Sequence, residues 1–289
     1  MPLFKNDTFR DLVLLNLGIL CISTSGILGR TIYLDPTQTI FWRALIAFFC
    51  LLGITLLQRK KIYHLCISAP WPLLISGILL GLHWVTYFFA LQWSSVAIGM
   101  LSLYTFPIIT AFLEPFFGHE TFKTKHLYLG LAMLFGIYLI SPEIDWENQQ
   151  FLAVAMGVFS AFCFAFRNLL IKKLSKVNDG QSIMTVQVAI VGVFLLPWGI
   201  QSDSAILLEN SSQLFFLALV TTVIGHSLFL QSFQKFSITT ASLISCMQPL
   251  YGIIMGFVFL DELPDIKTLF GGAIILTAVG WEIYSIQKK

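Results

Sequence analysis

A handful of polar side chains lie inside the long apolar stretches of this 289-residue chain, and they carry whatever chemistry the sequence has. Arg43, in Phe41-Trp42-Arg43-Ala44, offers a forked guanidinium that suits a carboxylate. It lies about six residues, roughly 9 Å along a helix, from the nearer end of its stretch, so it faces a protein interior, pairs with a carboxylate such as Asp35, or snorkels to the interface. His83 and His226 sit near the middle of their stretches. Imidazoles change charge near neutral pH, so either can bind a substrate, relay a proton or hydrogen-bond between helices. No further ligands converge on them to hold a metal. Tyr87 is one helical turn from His83, and Trp84 adds a second ring, so the three can form a stacking wall. Tyr104 with Ser102, and Thr239, Ser242 and Cys246, make small polar faces that serve helix packing or line a cavity. Ser227 and Gln231 lie one turn apart in the stretch of His226. The candidate substrate-binding set is therefore Arg43, His83, Trp84, Tyr87, Tyr104, His226 and Gln231.

Pro107 and Pro249 each remove a backbone hydrogen bond and crowd the preceding turn, so both bend their helices and shape a cavity, act as pivots, or form static kinks. Glu120 and Glu262 head the helices that follow and are read as structural helix-end groups, since carboxylates favour the positive N-terminus. Glu114 is placed near an interface, and Arg167 and Glu282 are read as interfacial anchors.

The elements that must position these groups follow from composition. The chain is 57% hydrophobic and 11% charged, far more apolar than a soluble core requires. Ten apolar stretches are long enough to cross a bilayer, at approximately 11–29, 37–57, 72–92, 96–117, 125–141, 151–171, 182–200, 212–233, 238–260 and 266–285. The connectors are too short for a soluble domain. No small-x-small cleavage site follows the first stretch, which is expected to be retained. Cys21, Cys50, Cys66, Cys163 and Cys246 show neither a C-x-x-C pair nor ligand spacing and are expected as free thiols.

Residues 92–134 recur at an offset of 142, with ten identities in 43 positions that include Gln92/Gln234, Pro107/Pro249, Glu120/Glu262 and Gly130/Gly272. Composition alone gives roughly three. Five spans per half force the second copy to cross in the opposite sense, the inverted arrangement of many secondary transporters. The fold expected is an all-α membrane protein of ten transmembrane helices in two inverted five-helix repeats, residues 1–142 and 143–289. A cytoplasmic N-terminus places 13 of the 17 Lys and Arg residues on the inner side, so both termini are expected in the cytoplasm.

From Phe89-Ala90-Leu91 through Pro107, Glu120 and Gly130, and again at Ser232, Pro249, Glu262 and Gly272, the chain resembles an EamA domain written twice. It is similar as a whole to two-domain members of the drug/metabolite transporter superfamily. That resemblance implies a central cavity lined by spans 1 to 4 and 6 to 9, with spans 5 and 10 outside, and export as the direction. Arg43 matches the family's arginine early in span 2, whereas Ser25-Gly26 stands where many members carry Trp-Gly.

No G-x-x-x-x-G-K-[ST] loop offers ATP drive, and no H-E-x-x-H, G-x-S-x-G or close carboxylate pair at membrane depth offers catalysis. The basic clusters are too small to track nucleic acid. The expectation is a permease of the inner (cytoplasmic) membrane for a small amphipathic metabolite such as an amino acid, working by alternating access without a cofactor. A proton as coupling ion and a homodimer as assembly are compatible with it. A flippase for a lipid head group on the same fold is the alternative, and an intramembrane enzyme the remote one.

Overall fold

The structure, a computed structural model, describes residues 6–60, 62–117, 124–140, 147–236 and 238–287, and these contain helices and no strand. The first half holds α1 (Asn6–Ser23), α2 (Ser25–Thr31), α3 (Pro36–Leu57), the short α4 (Ile62–Ser68), α5 (Pro70–Trp93), α6 (Val96–Leu103), α7 (Phe106–Leu113) and α8 (Thr124–Ile140). The second holds α9 (Gln149–Ser175), α10 (Gly180–Gly199), the short α11 (Ser204–Glu209), α12 (Ser211–Phe216), α13 (Ser227–Ser232), α14 (Ile238–Ile244), α15 (Met247–Leu260) and α16 (Ile266–Gln287). Seven stretches among the described residues are long and apolar enough to cross a membrane, and Met247–Leu260 and Ile266–Ala278 are shorter apolar helices. Glu120 lies outside the described residues.

Local chemistry sets the boundaries. Asp35, Asn148 and Asp179 accept hydrogen bonds from the first free amides of α3, α9 and α10, and Ser95 does so for α6. Where bends were expected at two prolines, the helices are interrupted outright. The rings of Pro107 and Pro249 crowd the carbonyls of Leu103 and Ser245, four residues earlier. The helices accordingly give way one turn ahead of each proline, between α6 and α7 and between α14 and α15. Between α12 and α13 the chain widens to a π-helical stretch, Leu217–His226, that no residue pattern announced.

The most extensive helix packing joins opposite halves. Trp42 Nε1 donates to Ser202 Oγ (3.0 Å) near one end of α3, and Gln181 Nε2 donates to Thr55 Oγ1 (3.1 Å) near the other. The start of α3 thus meets the end of α10, and the end of α3 meets its start, so these offset-142 counterparts lie antiparallel. α5 packs on α9, and their counterparts, the π-helical stretch and α1, pack likewise. α8 packs on α16 and α6 on α15. Two ends of the bundle are defined by polar bonds: Arg30, Gln92, Val96 and Glu262 meet at one, and Lys60, Glu114, Lys172 and Asp179 lie at the other.

The repeated identities have matching structural work. Gln92 Nε2 donates to the carbonyls of Ile32 (3.3 Å) and Leu34 (3.0 Å), and Gln234 Nε2 donates to the carbonyl of Asn178 (3.0 Å). Each glutamine therefore pins the connector that follows the first apolar span of its half, after α2 in one and after α9 in the other.

Candidate functional site

Six of the seven predicted residues converge on one cavity. Arg43, His83, Trp84, Tyr87, Tyr104 and His226 line it together with Ile19, Ile22, Ser25, Leu103, Phe106, Phe164, Phe229, Ser245 and Gln248. Space open to the centre of a water molecule amounts to about 20 Å³. That admits roughly one water, so the lining is closed around a contracted site.

The lining straddles the symmetry of the duplication. Ile22/Phe164, Trp84/His226, Tyr87/Phe229, Leu103/Ser245 and Phe106/Gln248 are pairs at the 142 offset, and both members of each pair reach the cavity. One pair touches directly: Trp84 Nε1 donates to His226 Nε2 at 3.3 Å. Corresponding residues of the two repeats therefore meet at this site.

The polar inventory can be assigned atom by atom. Ser160 Oγ donates to the His83 carbonyl at 2.7 Å, so it must accept from His83 Nδ1, also at 2.7 Å. The His83 proton is therefore on Nδ1, leaving Nε2 as an acceptor. His226 accepts at Nε2, so its proton is on Nδ1, which has no partner. Arg43 Nε donates to Thr222 Oγ1 at 2.7 Å, its guanidinium lies 3.9 Å over the Trp84 ring, and Nη2 has no partner. The Tyr87 hydroxyl is likewise unpartnered, while Tyr104 donates to Gln248 Oε1 at 2.8 Å. Three orphaned polar groups around one void are costly in a dry bundle, and a polar ligand or water satisfies them. Aromatic rings close the rest: Phe164 stacks on His83 at 4.5 Å, and Phe106 meets Phe164 edge-on at 4.9 Å.

Other predicted residues sit elsewhere. Gln231 accepts from the Gly180 amide at 2.9 Å, because it lies two residues past Phe229, the last cavity-lining residue of its helix, and points away from the void. Pro107 and Pro249 do not line the cavity; the breaks they cause deliver Tyr104 and Ser245 to it. Asp35 caps α3 through Thr37 and is not the partner of Arg43. Arg167, expected as an interfacial anchor, is instead fully buried between α9 and α10, bonded to Asn168 and Gln187. α9 runs on for two further turns, so Arg167 never reaches the interface.

Glu262 does not serve the helix it precedes. Asp265 caps α16 through Thr268 (2.7 Å), while Glu262 accepts from the Val96 amide (2.8 Å) and pairs with Arg30 Nε (2.8 Å). Arg30 also donates to the carbonyls of Leu91 (3.3 Å) and Gln92 (3.1 Å). At the opposite end Lys172 pairs with Glu114 at 2.8 Å. Arg30 and Lys172 are counterparts at the 142 offset, and each reaches a carboxylate of the other half. These ion pairs and Gln248 were missed from sequence; applying the offset to every basic residue exposes the first two, and pairing Phe106 with its counterpart exposes the third.

Comparison with known proteins agrees with this architecture. The chain is 23% identical to a pseudopaline exporter of Pseudomonas aeruginosa (strain UCBPP-PA14) over 85% of each chain. It is 22% identical to an S-adenosylmethionine uptake transporter of Rickettsia bellii over 76% of this chain and 75% of that one. A crystal structure that is 14% identical superposes with a TM-score of 0.69 over 96% of this chain and 98% of the other, a likeness of fold. The EamA-like transporter family matches twice, over residues 11–141 and 151–281. With two copies of that domain filling most of its length, this multi-pass membrane chain is a member of the EamA-like transporter family and not an enzyme.

Proposed function

We propose that the protein is a secondary transporter that moves a small amphipathic metabolite, an amino acid or related organic solute, through the cavity by alternating access of two inverted five-helix halves. The single observation that carries this reading is the cavity itself, built from counterpart residues of both halves, with a cross-half ion pair at each end of the bundle. A site shared by two such halves opens to one end when one pair parts and to the other when the second does. The cation–π contact and the orphaned donors of Arg43 and His226 suit a carboxylate-bearing solute with an apolar body that packs on Trp84 and Phe164.

Ten spans with both termini in the cytoplasm follow from the same picture. Arg59, Lys60, Lys172, Lys173, Lys176 and Lys235 gather at the end that holds Asp179, against Arg30 and Lys267 at the other, which supports placing the basic end inside. Export is the direction supported by the name of the Pseudomonas relative, and the cytoplasmic membrane is the location this reading implies.

The test loads liposomes containing the purified chain with a small-molecule cell extract and follows which solutes leave, by mass spectrometry, at pH 6 and pH 8. Flux of carboxylate-bearing solutes that falls in Arg43→Gln and in His226→Ala supports the reading. Flux indistinguishable from empty liposomes for every solute refutes it.

A further inference from the structure

Arg167 is 0% exposed, and its acceptors are all neutral. Nη1 donates to Asn168 Oδ1 (2.9 Å), Nη2 donates to Gln187 Oε1, and Nε has no partner. Gln187 in turn spends its amide on Ser76 Oγ (2.8 Å), so the network ends without an anion. Arg43, 1% exposed, is in the same condition, with a hydroxyl and an aromatic face for company. Among the described residues the carboxylates that form ion pairs do so with Arg10, Arg30, Lys60 and Lys172, none with these two arginines.

A guanidinium keeps its proton under all physiological conditions, so the bundle buries two positive charges that no carboxylate among the described residues pairs with. Such a state is expensive within a membrane, and like charges raise the cost further. The two sit on one aromatic cluster: Arg43 lies over Trp84 at 3.9 Å, and Arg167 lies 5.9 Å from the centre of Phe164, which stacks on His83, the neighbour of Trp84. Arg167 is also the counterpart of Ser25, which lines the cavity. The position is thus a lining position in one half, and in the other it stands behind Phe164, a side chain of the cavity wall.

We propose that Arg167 is a second anion-binding residue of the transport site, and that the substrate is an organic acid with at least two acidic groups, one for Arg43 and one for Arg167. This inference rests on the transporter reading above. It names the charge class of the cargo: an amphipathic di-acid whose binding neutralises both guanidiniums and makes the loaded site electrically balanced for the crossing.

The test uses the full chain in nanodiscs with linear α,ω-dicarboxylates from succinate to azelate and the monomethyl ester of each, with thermal stabilisation and calorimetric binding as readouts. At least one di-acid is expected to bind about tenfold more tightly than its ester. Arg167→Gln and Arg43→Gln should each bring that di-acid down to the ester's level. If Arg167→Gln does not fold, Arg167→Lys serves, because a lysine keeps the charge without the fork and should still lose about threefold of the preference. The proposal is overturned if no di-acid binds, if every di-acid matches its ester, if the variants keep the preference, or if inorganic sulfate competes as well as the best di-acid. Liposome flux separates the two levels: carriage of neutral or mono-acid solutes untouched by Arg167→Gln sinks the di-acid site alone, whereas no carriage by the unmodified chain sinks the transporter reading.

Discussion

Replacing Glu262 by Gln should loosen one end of the bundle and leave the other closed. Its carboxylate joins Arg30 of span 1 and the Val96 amide of span 4, so the change removes an ion pair and leaves a neutral amide to serve both groups. With the Arg30 and Glu262 side chains 32% and 19% exposed, solvent screening holds the loss to about 1 kcal/mol, roughly a fivefold shift toward the state open at that end. Glu114 and Lys172 are drier, at 4% and 15%, so Glu114→Gln should cost about 2 kcal/mol and shift the opposite end by roughly thirtyfold. Cys246, buried at the break between α14 and α15, is a native reporter once Cys21, Cys50, Cys66 and Cys163 are replaced by Ser. A membrane-impermeant maleimide applied from either side should then label Cys246 faster from the Arg30 end in Glu262→Gln and from the Lys172 end in Glu114→Gln, each at the expense of the other side. Equal acceleration from both sides, or none, would refute the two-gate reasoning.

Four further outcomes follow from the packing and the caps. Trp84→Phe removes the indole donor to His226 and weakens the platform under Arg43, so solute affinity measured by calorimetry should fall about fivefold, near 1 kcal/mol, with folding retained. A Cβ on Gly157 would overlap Ser102, so Gly157→Val should pry α9 from α6 and destabilise by about 3 kcal/mol in thermal unfolding. Gly192 meets nothing within 4 Å, and Gly192→Ala should instead stabilise by roughly 0.5–1 kcal/mol. Burial alone would raise the Asp179 carboxyl, but hydrogen bonds from Lys60 and Ser182 outweigh it and hold the carboxyl below its ordinary range. A lowered carboxylate contributes stability that is complete above its unfolded value, about 3.9, and is lost as pH falls through the lower folded value. Unfolding measurements should therefore show Asp179→Asn less stable by about 1 kcal/mol between pH 5 and 8, with the gap closing only below about pH 4.

Long apolar runs and a duplication at one fixed offset are one-dimensional signals, and they made the helices and the two-part plan readable before any coordinates. The aromatic and histidine wall was readable for a related reason: His83, Trp84 and Tyr87 share one helix, where spacing dictates the face. Arg167 was not readable, because depth in a bundle depends on the partner helix, and α10 covers it with Gln187. The placement of Gln231 was not readable either, since two residues decide whether an amide meets a cavity or a helix end, and the π-helical stretch before it shifts the face by a register no propensity marks. Glu262 looked like a cap for its own helix and became one for α6, a long-range choice set by how the halves pack. The pattern is consistent: local periodicity fixes faces, while pairing across the halves decides which polar groups share a site.

Pulsed electron spin resonance on liposome-embedded protein, with spin labels at the exposed pair Tyr33 and Leu263 near one end and, separately, at Val177 and Phe116 near the other, measures alternating access most directly. The account predicts two distances for each pair, with a long distance at the first end favoured by Glu114-intact, Glu262→Gln protein and a long distance at the second favoured by the reverse combination. A single unchanging distance at either end, or both ends lengthening together in the same variant, would contradict it.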